Sequence, residues 1–355
     1  NKPMELIREF KDLTKNDAHL AGGKGASLGE MTTAGIPVPP GFVVLAGTFE
    51  KFLEETDLNV EVDAVLDSVN HNEVHTVEHA SEKIQALILS ADMPKDIELA
   101  ILDSYEQLRK VQPSMDKGFF VAVRSSATAE DSASAAWAGQ LDSYLNTTED
   151  TLLKNVKRCW ASLFTPRAIF YRFEKELHKT KISVAVVVQK MVESDVSGVA
   201  FSVHPVTEDR NQLIIEGGFG LGEAIVSGSI TPDSYVVEKE PRRIIDKNIA
   251  EQTRGIYRTK VSSRSFLEEE RSDGRGGTSE KTDGAHSTSS GQANEWRDIP
   301  TEKQNEQKLT DDQILELSNI ILTIENHYGF PCDIEWAFER GTFFITQSRP
   351  ITTLR

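Results

Sequence analysis

Cysteine is scarce: the 355 residues contain two, Cys159 and Cys332, in no metal-ligand spacing, which excludes a disulfide framework and a cysteine-rich zinc site and fits a reducing cytoplasm. Long apolar runs are missing, so no stretch of sequence is expected to cross a bilayer, and the charged start Asn1–Arg8 lacks the apolar core of a signal peptide. Positive charge is also in short supply. Thirty-nine Lys and Arg face 56 Asp and Glu, a formal net charge of −17, which argues against general binding to nucleic acid or anionic membrane. A polyanionic ligand would then need a local basic site, so isolated cations in glycine-rich settings gain interest. There are no internal repeats, and the P-loop spacing is absent, because no Gly-Lys-Ser/Thr follows a four-residue gap.

What is present is concentrated in a few stretches. The last, Pro331–Pro350, reads as a β-hairpin: two apolar and aromatic runs flank a polar turn with Gly341 near its end. Strand residues alternate faces, so Asp333 and Glu335 point the same way. A three-residue loop, Glu339 to Gly341, would set Asp333 opposite Gln347 and gather both carboxylates, Gln347 and Arg349 on one face, with Gly341 left-handed in a bulge. A two-residue loop would put Glu335 opposite Thr346 and split the set. Carboxylates and an amide oxygen suit Mg²⁺ held between protein and phosphate, and a neighbouring arginine suits the phosphate. A solvated strand face is the plain alternative for this hairpin.

At the other end, Gly22-Gly23-Lys24-Gly25 runs into a helix whose apolar side is Leu28 and Met31, closed by Gly35 and Pro37. Backbone N–H groups at such a start favour an anion, and Lys24 adds a movable charge. Residues 47–112 read as helices without chemistry, and the His71, His75 and His79 spacing as an ordinary solvated helix face. Phe119–Val123 is a strand, followed by Arg124–Asp131, then small residues, then Trp137–Asn146; a plain Ser/Ala-rich loop is one reading, and its length between two strands favours a mobile cover over a site. Thr148–Phe164 is an amphipathic helix and Pro166 opens another. Strands follow at 181–191, 197–205 and 213–219, the last breaking through glycines into a helix at Glu223. Gly218-Phe219-Gly220 is a weak near-match to a dinucleotide fingerprint. Strands at 234–239 and 244–247 complete an antiparallel sheet. Residues 262–298 turn polar and Gly/Ser-rich and read as an excursion. Thr310 to Gln313 is a capping box for a helix to His327, ended by Gly329 and Pro331.

Taken together and in order, Gly22–Glu30, Pro39–Phe42, Val123–Asp131, Ala138–Gln140, Val188–Val192, Ser197–Phe201, Asp333–Trp336 and Gln347–Ile351 resemble the ATP-binding region of the phosphoenolpyruvate synthase (pyruvate, water dikinase) family. Pyruvate phosphate dikinases and rifampicin phosphotransferases are relatives. The resemblance spans most of the chain, apart from about 50–115 and 262–298. It implies an α+β ATP-grasp fold, with nucleotide between an N-terminal subdomain, 1–182, and a C-terminal subdomain, 183–355. It places Lys24 and Arg124 on the phosphates as the catalytic pair, and Gly139 and Asp142 in the loop over them. Gln189, Met191 and Val192 fall beside the adenine and Glu223 at the ribose. Glu335 and Gln347 become Mg²⁺ ligands with Asp333 nearby, Arg349 joins the phosphates, and Ser202 and His204 lie beside them. The family passes the β,γ end of ATP to a histidine on a swivelling domain and then to an acceptor. The resemblance therefore implies Mg²⁺, ATP as substrate, those further domains as partners, and a chain that does not turn over alone. An antibiotic phosphotransferase module and a non-catalytic nucleotide sensor are the competing readings.

Overall fold

The computed structural model describes residues 3–111, 118–128, 143–177, 179, 181–259 and 294–354. Ile7–Glu9 (β1) leads to Ala18–Thr33 (α1) and Gly41–Val44 (β2). Four helices follow, Ala46–Glu55 (α2), Leu58–Asp67 (α3), Val74–Ser90 (α4) and Lys95–Lys110 (α5). Val121–Ala127 (β3) and Ser143–Thr147 (β4) precede Glu149–Ala161 (α6), Pro166–Glu174 (α7) and Val184–Lys190 (β5). Val196–Phe201 (β6), Gln212–Phe219 (β7), the short helix Glu223–Val226 (α8), Asp233–Glu238 (β8) and Arg243–Asn248 (β9) come next. Arg254–Arg258 (β10) and Asn294–Asp298 (β11) form a two-stranded ribbon, and Asp311–Tyr328 (α9), Cys332–Glu339 (β12) and Thr342–Pro350 (β13) end the described chain.

The strands make two larger antiparallel sheets, one ordered β1-β2-β5-β3-β4 and one β13-β12-β6-β7-β8-β9. Strand β5 explains how they join. Its five consecutive apolar residues are all buried, because both faces of its sheet are covered. Val184, Val186 and Val188 point to a core shared with α2 to α7, around Phe49, Phe52 and Trp160. Ala185 and Val187 point the other way, to a second core with Leu28 and Met31 of α1, Ile215 and Trp336 of the six-stranded sheet, and Ile314 and Ile321 of α9. Strand β5, expected in one sheet with the strands after it, instead hydrogen-bonds β2 and β3.

Local rules account for most helix ends. The Thr310 hydroxyl accepts from the Gln313 N–H at 3.2 Å, and the Gln313 side chain accepts from the Thr310 N–H at 2.9 Å. Gly329, left-handed at φ 76°, closes that helix. Pro166 stands at the start of α7, and the preceding Thr165 caps it. His75 and His79 lie exposed on α4, while His71 precedes that helix and stacks on Phe173. The polar excursion read at 262–298 is a paired strand over its last residues, Asn294–Asp298, and lies otherwise outside the described residues. Among the described residues no helix is long and apolar enough to cross a membrane.

Candidate nucleotide site

Helix α1 is interrupted where the sequence places its glycine turn. Gly22 leaves the helix at φ 69° and ψ 169°, so Lys24 stands at the start of the second segment. Ser126 on β3 seals the break: its hydroxyl accepts from the Gly25 N–H at 3.2 Å and donates to the Ala21 carbonyl at 2.9 Å. A methyl group on Gly22 would lie 2.1 Å from that hydroxyl and 2.3 Å from the Ser126 carbonyl oxygen. Gly22→Ala is therefore expected to lower stability by about 3 kcal/mol, combining a left-handed backbone with displacement of β3. Urea unfolding checks it; a loss below about 1 kcal/mol would show that the break is not held this tightly.

The hairpin departs from the expected turn. Glu339 pairs with Thr342, so the loop is the two residues Arg340-Gly341, both at positive φ (48° and 83°) as a twisted hairpin favours. The odd residue sits within the strand instead. Glu335 pairs with Gln347 and Trp336 with Ile345, leaving Thr346 as a bulge whose hydroxyl donates to the Glu335 carbonyl at 3.3 Å. The bulge restores the parity that the short turn would have lost. Glu335 opposes Gln347 and Asp333 opposes Arg349, so the expected pairing of Asp333 with Gln347 is corrected while all four still share one face.

These elements close on a cleft of about 520 Å³ between the two sheets. Lys24, Arg124, Glu335 and Gln347 line it with Gln189, Met191, Val192 and Glu223. Its remaining walls include Leu145, Ser197, Gly198, Leu221 and Trp336. That composition, a few convergent polar groups on an apolar surface, suits an organic ligand carrying an anionic end. A second cavity of about 730 Å³ reaches Lys24, Arg124 and Gln347 from another side, past Tyr328, Phe330 and Arg349.

The electrostatics are arranged for an anion. Lys24 and Arg124 are each partly buried and, among the described residues, form no ion pair. Burial and then the neighbouring Arg124 pull the Lys24 ammonium below its usual value. Burial also lowers Arg124, opposed by Glu335 and Glu223. Two cations facing each other in a desolvated place are stabilised by a polyanion. Burial raises the Glu223 carboxyl, while Asn294, donating at 2.7 Å, works against that.

The side chains of Glu335 and Gln347 make no hydrogen bond or ion pair among the described residues, which leaves a carboxylate and an amide oxygen side by side and free to bind. This donor set fits Mg²⁺, which takes one or two protein oxygens and completes its shell with water and phosphate. No cluster of three or more His, Cys, Asp or Glu exists among the described residues, so a self-contained metal cage is not what the hairpin offers.

Other expected residues stand differently. Arg349 Nε donates to Asp333 Oδ2 at 2.9 Å, and this pair lines the second cavity rather than the cleft. Ser202 is fully buried, its hydroxyl taken by the Cys332 N–H at 2.7 Å, and it lines neither cavity. His204 likewise lies outside both, its Nδ1 accepting from the Val206 and Thr207 N–H groups. Gln189 reaches the cleft wall but commits its amide N–H to the Pro39 carbonyl at 3.1 Å. Gly139 and Asp142 lie outside the described residues. Sequence reasoning missed Ser126, Thr346, Asn146 and Asn294. Each acts through a partner distant in the chain, for which sequence spacing gives no signal.

A mixed fold of two subdomains with a cation-and-oxygen cleft between them is of the ATP-grasp class. The chain belongs to the family described as pyruvate phosphate dikinase, AMP/ATP-binding domain, whose model matches residues 18–355. A probable phosphoenolpyruvate synthase of Methanothermobacter thermautotrophicus is 42% identical over all of this chain and 47% of its own length. One from Methanocaldococcus jannaschii is 41% identical over 99% of this chain and 27% of its own length. The rifampicin phosphotransferase of Bacillus subtilis is 38% identical over 98% of this chain and 36% of its own length. The chain thus spans less than half of each of these relatives.

Proposed function

We propose that this chain is the Mg-ATP-binding phosphotransfer module of a phosphoenolpyruvate synthase. The carrying observation is the convergence of Lys24, Arg124, Glu335 and Gln347, four side chains without a hydrogen-bond or ion-pair partner among the described residues, on one cleft. In this reading the adenine lies against Gln189 to Val192 and the ribose at Glu223. Lys24 and Arg124 hold the phosphates and stabilise charge that moves onto the leaving oxygen. When bound at Glu335 and Gln347, Mg²⁺ would offset phosphate charge. Partial burial of Lys24 and Arg124 strengthens their attraction for the phosphates.

A histidine nitrogen on a swivelling domain bonds to the β-phosphorus while the bond to the α,β-bridging oxygen breaks, and that oxygen leaves with AMP. Water then releases the outer phosphate, and the remaining phosphoryl group passes to the enol oxygen of pyruvate, giving phosphoenolpyruvate. In this reading the incoming histidine would approach by way of the second cavity, which meets the same cations. The relatives named phosphoenolpyruvate synthase support pyruvate as acceptor. The rifampicin phosphotransferase, 38% identical over 98% of this chain, supports an antibiotic as the competing acceptor.

Titration should show one saturable Mg-ATP site, with Glu335→Ala raising the Mg²⁺ concentration for half-saturation about tenfold. With a phosphoacceptor histidine domain added, ¹⁸O placed in the α,β bridge should scramble into the α-phosphoryl group. Absence of saturable binding would sink the nucleotide reading; binding without scrambling would leave a sensor.

A further inference from the structure

The ribbon β10–β11 belongs to neither large sheet, yet it touches both halves of the cleft. Asn294, its first residue on β11, donates through Nδ2 to Glu223 Oε1 at 2.7 Å. Its Oδ1 accepts from Asn146 Nδ2, also at 2.7 Å. Glu223 follows the six-stranded sheet, whereas Asn146 lies on β4 of the five-stranded sheet. Chemistry fixes the direction of this relay. A carboxylate accepts and does not donate, so Asn294 must present its NH₂ to Glu223 and its carbonyl oxygen to Asn146. Asn146 must then donate, and its own oxygen is left buried without a partner, as observed.

Asn146 is itself held firmly. It is 4% exposed, left-handed at φ 51°, and its N–H meets the sulfur of Met191 in the cleft wall. At its other strand the ribbon makes a second crossing: Arg258 lies 4.2 Å from the centre of the Phe120 ring, just before β3, and pairs with Glu193 at 2.8 Å.

We propose that Asn294 is a positioning residue that aims Glu223 at the ribose hydroxyls and, through Asn146, fixes it relative to the half of the cleft that carries Arg124. The inference rests on the reading of Glu223 as the ribose contact. It adds that this contact is set from outside the cleft, by a ribbon that latches one subdomain to the other. An unheld Glu223, exposed at the first position of a four-residue helix, would lose its fixed direction.

Calorimetric affinities for Mg-ATP and its 2′-deoxy and 3′-deoxy analogues test this in wild type, Asn294→Ala, Asn146→Gly and the double variant. Glycine accepts the left-handed backbone, so removing the Asn146 side chain leaves the turn unstrained. Wild type should prefer ATP over at least one deoxy analogue by about tenfold, the value of a hydrogen bond to a charged group. Asn294→Ala should lose ATP affinity by about that factor while the discriminated analogue, which lacks the contacted hydroxyl, holds its own, so the preference falls towards one. Asn146→Gly should do the same, and the double variant should be no worse than either alone. Equal weakening of all three nucleotides, an intact preference in Asn294→Ala, or additive losses would overturn the proposal. A wild type without preference would instead remove Glu223 from the ribose. The relay would then be judged by the double-variant cycle alone, supported by non-additive and refuted by additive losses in ATP affinity.

Discussion

Lys308→Met is expected to destabilise the protein by about 3–5 kcal/mol, lowering the melting temperature by about 10 °C. The side chains of Lys308 and Asp233 are 0% exposed and pair at 2.8 Å. Asp233 has no spare capacity. Its Oδ1 accepts from Lys308 Nζ and the Ala250 N–H at 3.0 Å, and its Oδ2 from the Lys308 N–H at 2.9 Å and the Tyr235 hydroxyl at 2.6 Å. Burial and this bond hold the Tyr235 phenol well above its usual value, so it remains a donor. Methionine would fill the space of the lysine and leave a buried carboxylate without its counter-charge. The sign of a second variant separates charge from packing. Asp233→Asn with Lys308→Met removes both charges, keeps an oxygen in place, and should recover at least half of the loss. A single-variant cost under about 1 kcal/mol, or a double variant worse than the single, would show that charge pairing is not what secures this site.

The same network bears on the cleft. Asp233 pairs with Gly217 on β7, and the Lys308 ammonium lies 5.5 Å from the Phe219 ring. Gln252, 2% exposed, accepts from the Phe219 N–H and donates to its carbonyl, standing in for a missing strand partner. These buried groups therefore set the path of Phe219–Gly222 as it enters the cleft at Leu221, Gly222 and Glu223. Sequence patterning shows a strand breaking through glycines here. It does not show that a lysine some ninety residues later underpins it, because a buried ion pair has no local periodicity.

That contrast holds across the molecule. Features written within a few residues were legible: the Thr310 capping box, Pro166 at a helix start, Gly329 at a helix end, and Asp333, Glu335, Gln347 and Arg349 sharing a face. Features requiring a distant partner were not. Strand β5 has an apolar run equally suited to either sheet, and its neighbours β2 and β3 decide the matter. The hairpin sequence suggests an odd-length turn, whereas the odd residue is Thr346, whose bulge depends on a hydrogen bond across the ladder. The commitment of Arg349 to Asp333 and of Ser202 to Cys332 also follows from packing rather than from residue type.

Arg124→Met should weaken Mg-ATP binding by about 100- to 1,000-fold and adenosine binding by less than about threefold. The guanidinium is anchored at its base by β3, flanked by β4 and β5, so its fork is presented at low entropic cost. Hydrogen bonds to a charged partner contribute about 1.5–3 kcal/mol each, and two parallel ones reach the upper part of that loss. The ligand-free protein should respond with the opposite sign. Burial disfavours the charged form of Arg124, and Lys24 repels it, so a neutral side chain of similar length should raise the melting temperature without nucleotide. Saturating Mg-ATP should then stabilise wild type more than the variant, because the ligand repays a cost that methionine no longer carries. Arg124→Lys keeps the charge and loses the fork, which predicts an intermediate loss of about tenfold. Thermal shift with and without nucleotide, alongside calorimetry with ATP and adenosine, reads all of these. Equal weakening of adenosine and ATP would detach Arg124 from the phosphates. A ligand-free variant less stable than wild type would mean that Glu335 and Glu223 already compensate the cation, leaving the cleft with no unspent charge for a polyanion.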